Sequence, residues 1–227
     1  MSNLVIIIPT LNEVLGIRPT IKEYRSVFPD AHIIIVDGGS TDGTVEVARS
    51  FGVEVIQQHG KGKGNAIKTV IQYIRNKKKQ PKYIIMTDGD YTYPAKPVIK
   101  MIKILEKNPR VGMVTGDRFH SHTVKSYLTN IYGLGNLILR ILHSLLNKVN
   151  MKDPLTGLRV IRWELIKDWL PKAQHFEVEV EINNYIGKRA KIVEVPINYR
   201  KRLGTKKLQV KHGIPIAKQI IKNLVIS

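Results

Sequence analysis

Residues 83–94 read YIIMTDGDYTYP. An apolar run, Ile84-Ile85-Met86, ends in two carboxylates, Asp88 and Asp90, around a single glycine, and a tyrosine-rich turn and Pro94 follow. The run reads as a buried strand that delivers two acids at its tip. Outward from it, further apolar, β-rich runs lie at 4–8, 32–36, 53–56 and 111–115, with helical patterns at about 15–27, 44–51, 65–78 and 97–107. Continuous apolar strands separated by helices predict a mostly parallel sheet covered on both faces, an α/β domain. In such sheets ligands bind outside the carboxyl ends of the strands. Four polar segments share those ends: Pro9-Thr10-Leu11-Asn12-Glu13, Asp37-Gly38-Gly39-Ser40, Asp88-Gly89-Asp90 and Gly116-Asp117-Arg118.

The second half is less regular. A long helical stretch covers 124–149, a mixed region contains DPLTGLRVIR (153–162), a helix is expected near 177–186 and a strand at 191–200. A basic tail, 201–227, begins as a loop and ends as an amphipathic helix. No repeat or low-complexity linker divides the 227 residues, which fits a single domain.

Composition narrows the partners. Hydrophobic residues at 43% and charged residues at 24% are globular values. The 37 Lys and Arg against 18 Asp and Glu give a net charge of +19, which suits phosphorylated substrates, an anionic membrane or nucleic acid, or simply a lysine-rich surface. The absence of cysteine excludes a disulfide scaffold and thiolate metal binding and suits a reducing compartment. MSNLVIIIPTLNE lacks a basic leader and is broken by Pro9, so it reads as a strand rather than a signal peptide. No run of about 18 apolar residues predicts a spanning helix. The expected location is cytoplasmic, peripheral on the cytoplasmic face of a membrane.

Asp88 and Asp90 are hard oxygen donors close enough to hold Mg²⁺ or Mn²⁺, which keep waters and recruit substrate phosphates. A turn or a helix cap is the competing reading of the same pair. In VDGGSTDGT (36–44), Asp37 closes a strand and could hydrogen-bond a base or ribose, while Asp42 reads as a helix cap. GKGKGNA (60–66) could cradle phosphate on backbone amides or be a plain loop.

IIIPTLNE, IIVDGGSTDGT, GKGNA, MTDGDYTYP, GDR, DPLTGLRVIR, FEVEVEI and VEVPINYRKRLGTKKL follow one another in the order found in glycosyltransferase family 2. The chain resembles the dolichyl-phosphate mannose and glucose synthase branch of that family from residue 4 to about 208. The resemblance implies a GT-A fold, Rossmann-like, with residues 1–118 as the nucleotide-sugar half and 119–227 as the acceptor half. It implies a nucleotide-sugar site of Pro9, Asn12, Glu13, Asp37, Gly39, Lys63, Asp88, Asp90 and Lys206, with Lys207 nearby. Asp88 and Asp90 would hold the metal against the donor diphosphate. Asp90, Arg118 and Arg202 would form the catalytic set, with Arg118 near donor or acceptor phosphates and Arg202 closing over the diphosphate. Two departures stand out: Gly38 where the family often has a second Asp, and Thr92 where this branch often has Gln.

The implied reaction is inverting transfer of a hexose from a nucleotide sugar, of the GDP-mannose or UDP-glucose type, to a lipid monophosphate. Family members acting on sugar hydroxyls often carry a Glu-Asp pair near DPLTGLR, and only Asp153 stands here, which favours a phosphate acceptor. In 132–149, Leu134, Ile138, Ile141, Leu142 and Leu145 form an apolar face opposite Asn136, Arg140, Ser144 and Asn147. Leu137, Leu139 and Leu146 widen that face. With Lys218 and Lys222 in the tail, this suits a membrane interface, and core packing, an oligomer contact or a membrane-anchoring partner subunit are the alternatives. Nucleic-acid binding is not expected, because aromatics are only 7% and it leaves the strand-end acids unexplained.

Overall fold

The computed structural model describes residues 3–120, 131–147, 149–205 and 213–225. At its centre lies β1 (Leu4–Thr10), paired in parallel with β2 (His32–Asp37) and β4 (Tyr83–Met86). The sheet continues through β3 (Glu54–Gln57), β5 (Val111–Asp117), β6 (Arg159–Arg162) and β7 (Lys191–Pro196), in the order β3-β2-β1-β4-β6-β5-β7. β6 runs antiparallel to both β4 and β5, and the other strands run in one direction. The sheet grows to one side of β1 through β2 and β3, then to the other through β4. The switch point therefore lies at the β1–β4 carboxyl ends, where α/β sheets bind ligands.

Alternation along β1 fixes the two faces, because successive strand residues point to opposite sides. Ile6 and Ile8 pack with Ile17, Ile21 and Tyr24 of α1 (Val14–Val27) and Val98, Met101 and Leu105 of α4 (Lys96–Lys107). Val5 and Ile7 pack on the other face with Ile67, Val70 and Ile74 of α3 (Lys63–Arg75). The short α2 (Thr44–Ser50) packs beside α1. Each fully buried isoleucine contributes about 1.5–3 kcal/mol, and β1 alone carries three with no exposed surface.

Beyond β5 come α5 (Ile131–Asn147), the single turn α6 (Trp163–Ile166), α7 (Val178–Gly187) and α8 (Gly213–Val225). α8 packs against α5 and α7, and Leu139, Val180, Ile216 and Ile220 form a separate small core.

The mostly parallel sheet expected from the sequence is present, with three differences. RVIR forms an antiparallel strand inserted between β4 and β5, where the sequence offered only a mixed region. The strand expected over 191–200 ends at Pro196, after which Ile197 N bonds to Asp117 O (3.1 Å) and the chain turns across the site. α3 begins at Lys63 rather than Asn65, which puts Lys63 in a helical turn.

Candidate active site

The β1 and β2 ends meet as interlocked turns. Asn12 N donates to Ser40 Oγ (2.8 Å), and Asn12 Oδ1 accepts from Thr41 N (2.8 Å). Asn12 sits at φ 50, a left-handed conformation that asparagine tolerates better than most residues. Asp37 is buried and accepts from Gly39 N (2.9 Å), Ser40 N (3.0 Å) and Ser40 Oγ (2.6 Å), so its carboxylate holds the turn that carries Gly39. Asp42 caps as expected, and caps twice: it accepts from Thr44 N (3.0 Å) of α2 and from Val14 N (3.1 Å) of α1. Pro9 lies in register with Val36 just below these turns.

The β4 end carries the acids. Asp90 is buried, and its Oδ1 accepts from Thr92 Oγ1 (2.6 Å) and Thr92 N (3.2 Å). Arg202 reaches Asp90 Oδ2 through Nη1 (3.0 Å) and pairs with Glu13 through Nη2. Leu203 N donates to Asp90 O (3.1 Å) and Arg200 N to Thr92 O (3.0 Å), so the strap after β7 is laced to this turn by backbone bonds. Tyr91 adopts φ 67, rare for a bulky side chain. Such strain costs on the order of 1–3 kcal/mol and gathers at functional sites. α1 starts hard against the turn: a Cβ on Gly16 would stand 2.6 Å from Asp90 Cα and Gly89 O, a space only glycine leaves open.

Asp88 is held differently. Lys63 Nζ lies 2.6 Å from Asp88 Oδ1 and 2.6 Å from Glu179 Oε1. The α3 N-terminus does not face the acids as a phosphate cradle. Asn65 N donates to Gln174 O (3.2 Å), and the 173–175 segment sits so close that a Cβ on Gly64 would lie 2.0 Å from Ala173 O. The Lys63 side chain is what this motif sends to the site.

Burial acts on all these charges, and the neighbours decide the outcome. Burial pushes Asp88 up, but Lys63, with Arg118 and Arg202, outweighs it and holds the carboxyl below its usual range. Burial pulls Lys63 down, and Asp88 and Glu179 reverse that and raise it. Asp90 ends above the carboxylate range, because burial and then the charge of Asp88 exceed the help of Thr92 and Arg202. The protein's own cations therefore compensate the charge of Asp88 but not that of buried Asp90.

The uncompensated charge of Asp90, and the two side-chain cations seated on the pair, fit a divalent-cation site. Among the described residues no group of three or more His, Asp or Glu could hold a metal, so a cation here would rest on Asp88 and Asp90. Water and phosphate oxygens would complete its shell, the habit of Mg²⁺ in phosphate chemistry.

Arg118, at the β5 end, makes a bidentate pair with Asp153 (2.6 and 2.7 Å), and its backbone N also donates to Asp153 (3.1 Å). Its guanidinium lies 5.3 Å from the Tyr199 ring, which meets Tyr93 edge-on at 5.2 Å. Glu194 accepts from Lys152 N (2.7 Å) and Asp153 N (2.8 Å), fixing the loop that presents Asp153. Lys206 and Lys207 lie outside the described residues.

The structure thus joins Glu13, Asp90 and Arg202 by direct contact, and pairs Lys63 with Asp88, two residues before Asp90 on the same turn. It sets Asn12, Asp37 and Gly39 in the adjoining turns and gives Arg118 its own partner. Sequence reasoning missed Glu179 and Arg159, both buried. A signal existed: Glu179 is in helical phase with the inward Ile182, Asn183 and Ile186.

Residues 5–170 match the family described as Glycosyl transferase family 2. The glycosyltransferase AglJ of Haloferax volcanii is 33% identical over 87% of this chain, which spans 63% of that protein's length. The dolichyl-phosphate hexose transferase of the same organism is 29% identical over 97% of this chain and 93% of its own. Among solved structures, glucosyl-3-phosphoglycerate synthase of Mycobacterium tuberculosis, in complex with Mn²⁺, UDP-glucose and phosphoglyceric acid, superposes with a TM-score of 0.74. It is 19% identical, over 98% of this chain and 78% of its own, which establishes a shared fold.

Proposed function

The chain belongs to glycosyltransferase family 2, and from that premise we propose an inverting, divalent-cation-dependent transferase acting on a lipid monophosphate. It moves a hexose from a nucleotide sugar, of the GDP-mannose or UDP-glucose type, to a polyprenyl or dolichyl monophosphate. One observation carries the choice of acceptor. Every carboxylate described around the strand ends is engaged by a cation or by hydrogen-bond donors: Glu13 and Asp90 by Arg202, Asp88 and Glu179 by Lys63, Asp153 by Arg118, Asp37 by its own turn, Asp117 by Phe119 N and Glu194 by two amides. A hydroxyl acceptor needs a base to take its proton, whereas a phosphate monoester is already anionic near neutral pH. The similarity to a dolichyl-phosphate hexose transferase supports the same acceptor.

In this reading Pro9, Asn12, Glu13, Asp37 and Gly39 line the nucleotide pocket, and Asp88 and Asp90 hold Mg²⁺ or Mn²⁺. Such a cation, when bound, supplies electrostatic stabilisation to the leaving diphosphate. Arg202, freed from Asp90, closes on the diphosphate, and Lys206 joins it. Arg118, kept in one orientation by Asp153, receives the acceptor phosphate. The acceptor oxygen attacks C1, the bond from C1 to the diphosphate oxygen breaks, and the electron pair leaves with the nucleotide.

Among the described residues no helix is long and apolar enough to cross a membrane. α5 and α8 leave Ile138, Ile141, Leu145, Ile214 and Ile221 exposed, with Lys218 and Lys222 in water on the same helix pair. Peripheral contact with an anionic bilayer is the reading this supports, since each nearby lysine adds about 1 kcal/mol of attraction.

The test is transfer from GDP-mannose, UDP-glucose or UDP-N-acetylglucosamine to a polyprenyl monophosphate, with and without chelator. One donor should yield a chloroform-extractable glycolipid that chelator abolishes. Turnover that requires a sugar hydroxyl acceptor would overturn the phosphate reading.

A further inference from the structure

Behind Asp88 stands a buried series of alternating charge. Lys63 bridges Asp88 and Glu179, and the other oxygen of Glu179 pairs with Arg159. Arg159 has 1% of its surface exposed and Glu179 has 5%. The guanidinium is anchored further by Thr156 O, by Pro154 O (3.3 Å) and by Asn183 Oδ1 (3.3 Å), and Asn183 Nδ2 donates to Pro154 O (2.8 Å). Buried ion pairs seldom increase stability relative to apolar residues of similar volume, so the buried Arg159–Glu179 pair, continued outward by the partly covered Lys63 and Asp88, calls for another reason.

We propose that Glu179 is a positioning residue for the cation site and acts through Lys63. The proposal rests on the metal-dependent reading above. An ammonium buried beside one carboxylate cannot leave it without being stranded in a medium of low dielectric. Glu179, fixed by Arg159, gives Lys63 a second anchor. Lys63 can therefore release Asp88 Oδ1 to an arriving divalent cation while its own charge stays matched. Without that anchor Lys63 holds Asp88 more tightly and competes with the cation.

The experiment is Mn²⁺ binding to the full chain, read from the electron paramagnetic resonance of the free ion, without ligand and with a nucleoside diphosphate. Glu179→Gln should weaken Mn²⁺ binding about tenfold, and in a Lys63→Met background by less than about threefold, the scale of coupling between charged groups in contact. Equal losses in both backgrounds would reduce Glu179 to a general field and overturn the proposal, as would no loss in either. Should Glu179→Gln unfold because Arg159 loses its partner, Lys63→Met alone decides. It should bind Mn²⁺ more tightly than wild type without ligand, and unchanged or weaker binding overturns the proposal. Wild-type protein that binds no Mn²⁺ in either condition would sink the metal-dependent reading as well. Binding that ignores these variants removes only the role of Glu179.

Discussion

The Asp88–Tyr93 turn and the α5–α8 pair break the ordinary partition of apolar inside and charged outside in opposite directions. At the turn, Asp90 is buried and Asp88, Lys63 and Arg202 are partly covered, each matched with an opposite charge within about 3 Å. On α5 and α8, Ile138 is 49% exposed, Leu145 71% and Ile214 65%, with nothing described lying over them. Burying charge costs several kcal/mol per ion before pairing, and exposing isoleucine forgoes about 1.5–3 kcal/mol. Neither departure improves folding. On the proposed function, the first would provide charge where a diphosphate leaves, and the second an apolar surface where a lipid-bearing acceptor approaches.

The comparison breaks most decisively at Asp90. Asp90→Ala should lower transfer by on the order of 10³-fold, the scale of losing a group that stabilises transition-state charge. Its melting temperature should hold, because Arg202 retains Glu13 and an acid whose pKa is raised by burial and by Asp88 is not a stabilising charge. A steady-state assay beside a thermal melt separates the two, and near-wild-type turnover would remove Asp90 from the site. Asp153→Ala should lower both turnover and stability. It strands the largely buried Arg118 guanidinium and frees it from the orientation in which it would receive the acceptor phosphate. Breaking a buried pair costs about 3 kcal/mol or more, so resistance to chemical denaturation and turnover should fall together.

How far the sequence foretold these regions depended on how local the cause was. The parallel core was legible because Leu4–Ile8, His32–Val36 and Tyr83–Met86 are continuous apolar runs between helical patterns, and that signal is complete within each segment. The acids at the β4 end were legible for the same reason. β6 was not: Arg159-Val160-Ile161-Arg162 is four residues bounded by arginines, and only its pairing with β4 and β5 makes it a strand. Arg159 shares a face with Ile161, which aims it inward at Glu179, and nothing within the four residues marks that face as buried. The buried stripe of α5 had no local mark either. Ile138, Ile141 and Leu145 suited a membrane interface, with core packing as an alternative; they face out, while Leu139 and His143 are buried, because α8 arrives from about 75 residues further on and chooses the side. Long-range docking leaves no mark in local periodicity.

That inward face of α5 can be probed by pH. His143 is 1% exposed, and burial, with Arg159 adding, depresses its pKa to about 4 from 6.5. The unfolded chain takes up the proton near 6.5 and the folded chain only near 4. The stability contributed by neutral His143 is therefore full above 6.5 and is lost as pH falls toward 4. Between pH 7 and pH 5 the loss should be about 2 kcal/mol. In His143→Leu it should be absent, and denaturation curves at both pH values measure the difference. An unchanged pH dependence in that variant would mean that α5 does not bury this side at all.

The smallest effect on stability belongs to the outer face, and it is the one that sharpens the contrast most. Ile141 and Leu145 already face water, so Ile141→Gln with Leu145→Gln should alter folding free energy by no more than about 0.5 kcal/mol, as surface substitutions do. Turnover on a short, water-soluble acceptor should stay as it was, since among the described residues these two side chains face water rather than the strand ends. Sedimentation with anionic vesicles should fall about tenfold, because two partly exposed apolar side chains can each add of the order of 0.8 kcal/mol per further methylene buried in lipid. If vesicle binding holds while a wild-type dimer becomes a monomer, the face joins two copies of the chain. If neither changes and stability drops instead, Ile141 and Leu145 are core after all, and the supposed departure at α5 and α8 vanishes. The outcome thus turns on whether the oil exposed here is matched by lipid, as the charge of Asp88 is matched by Lys63.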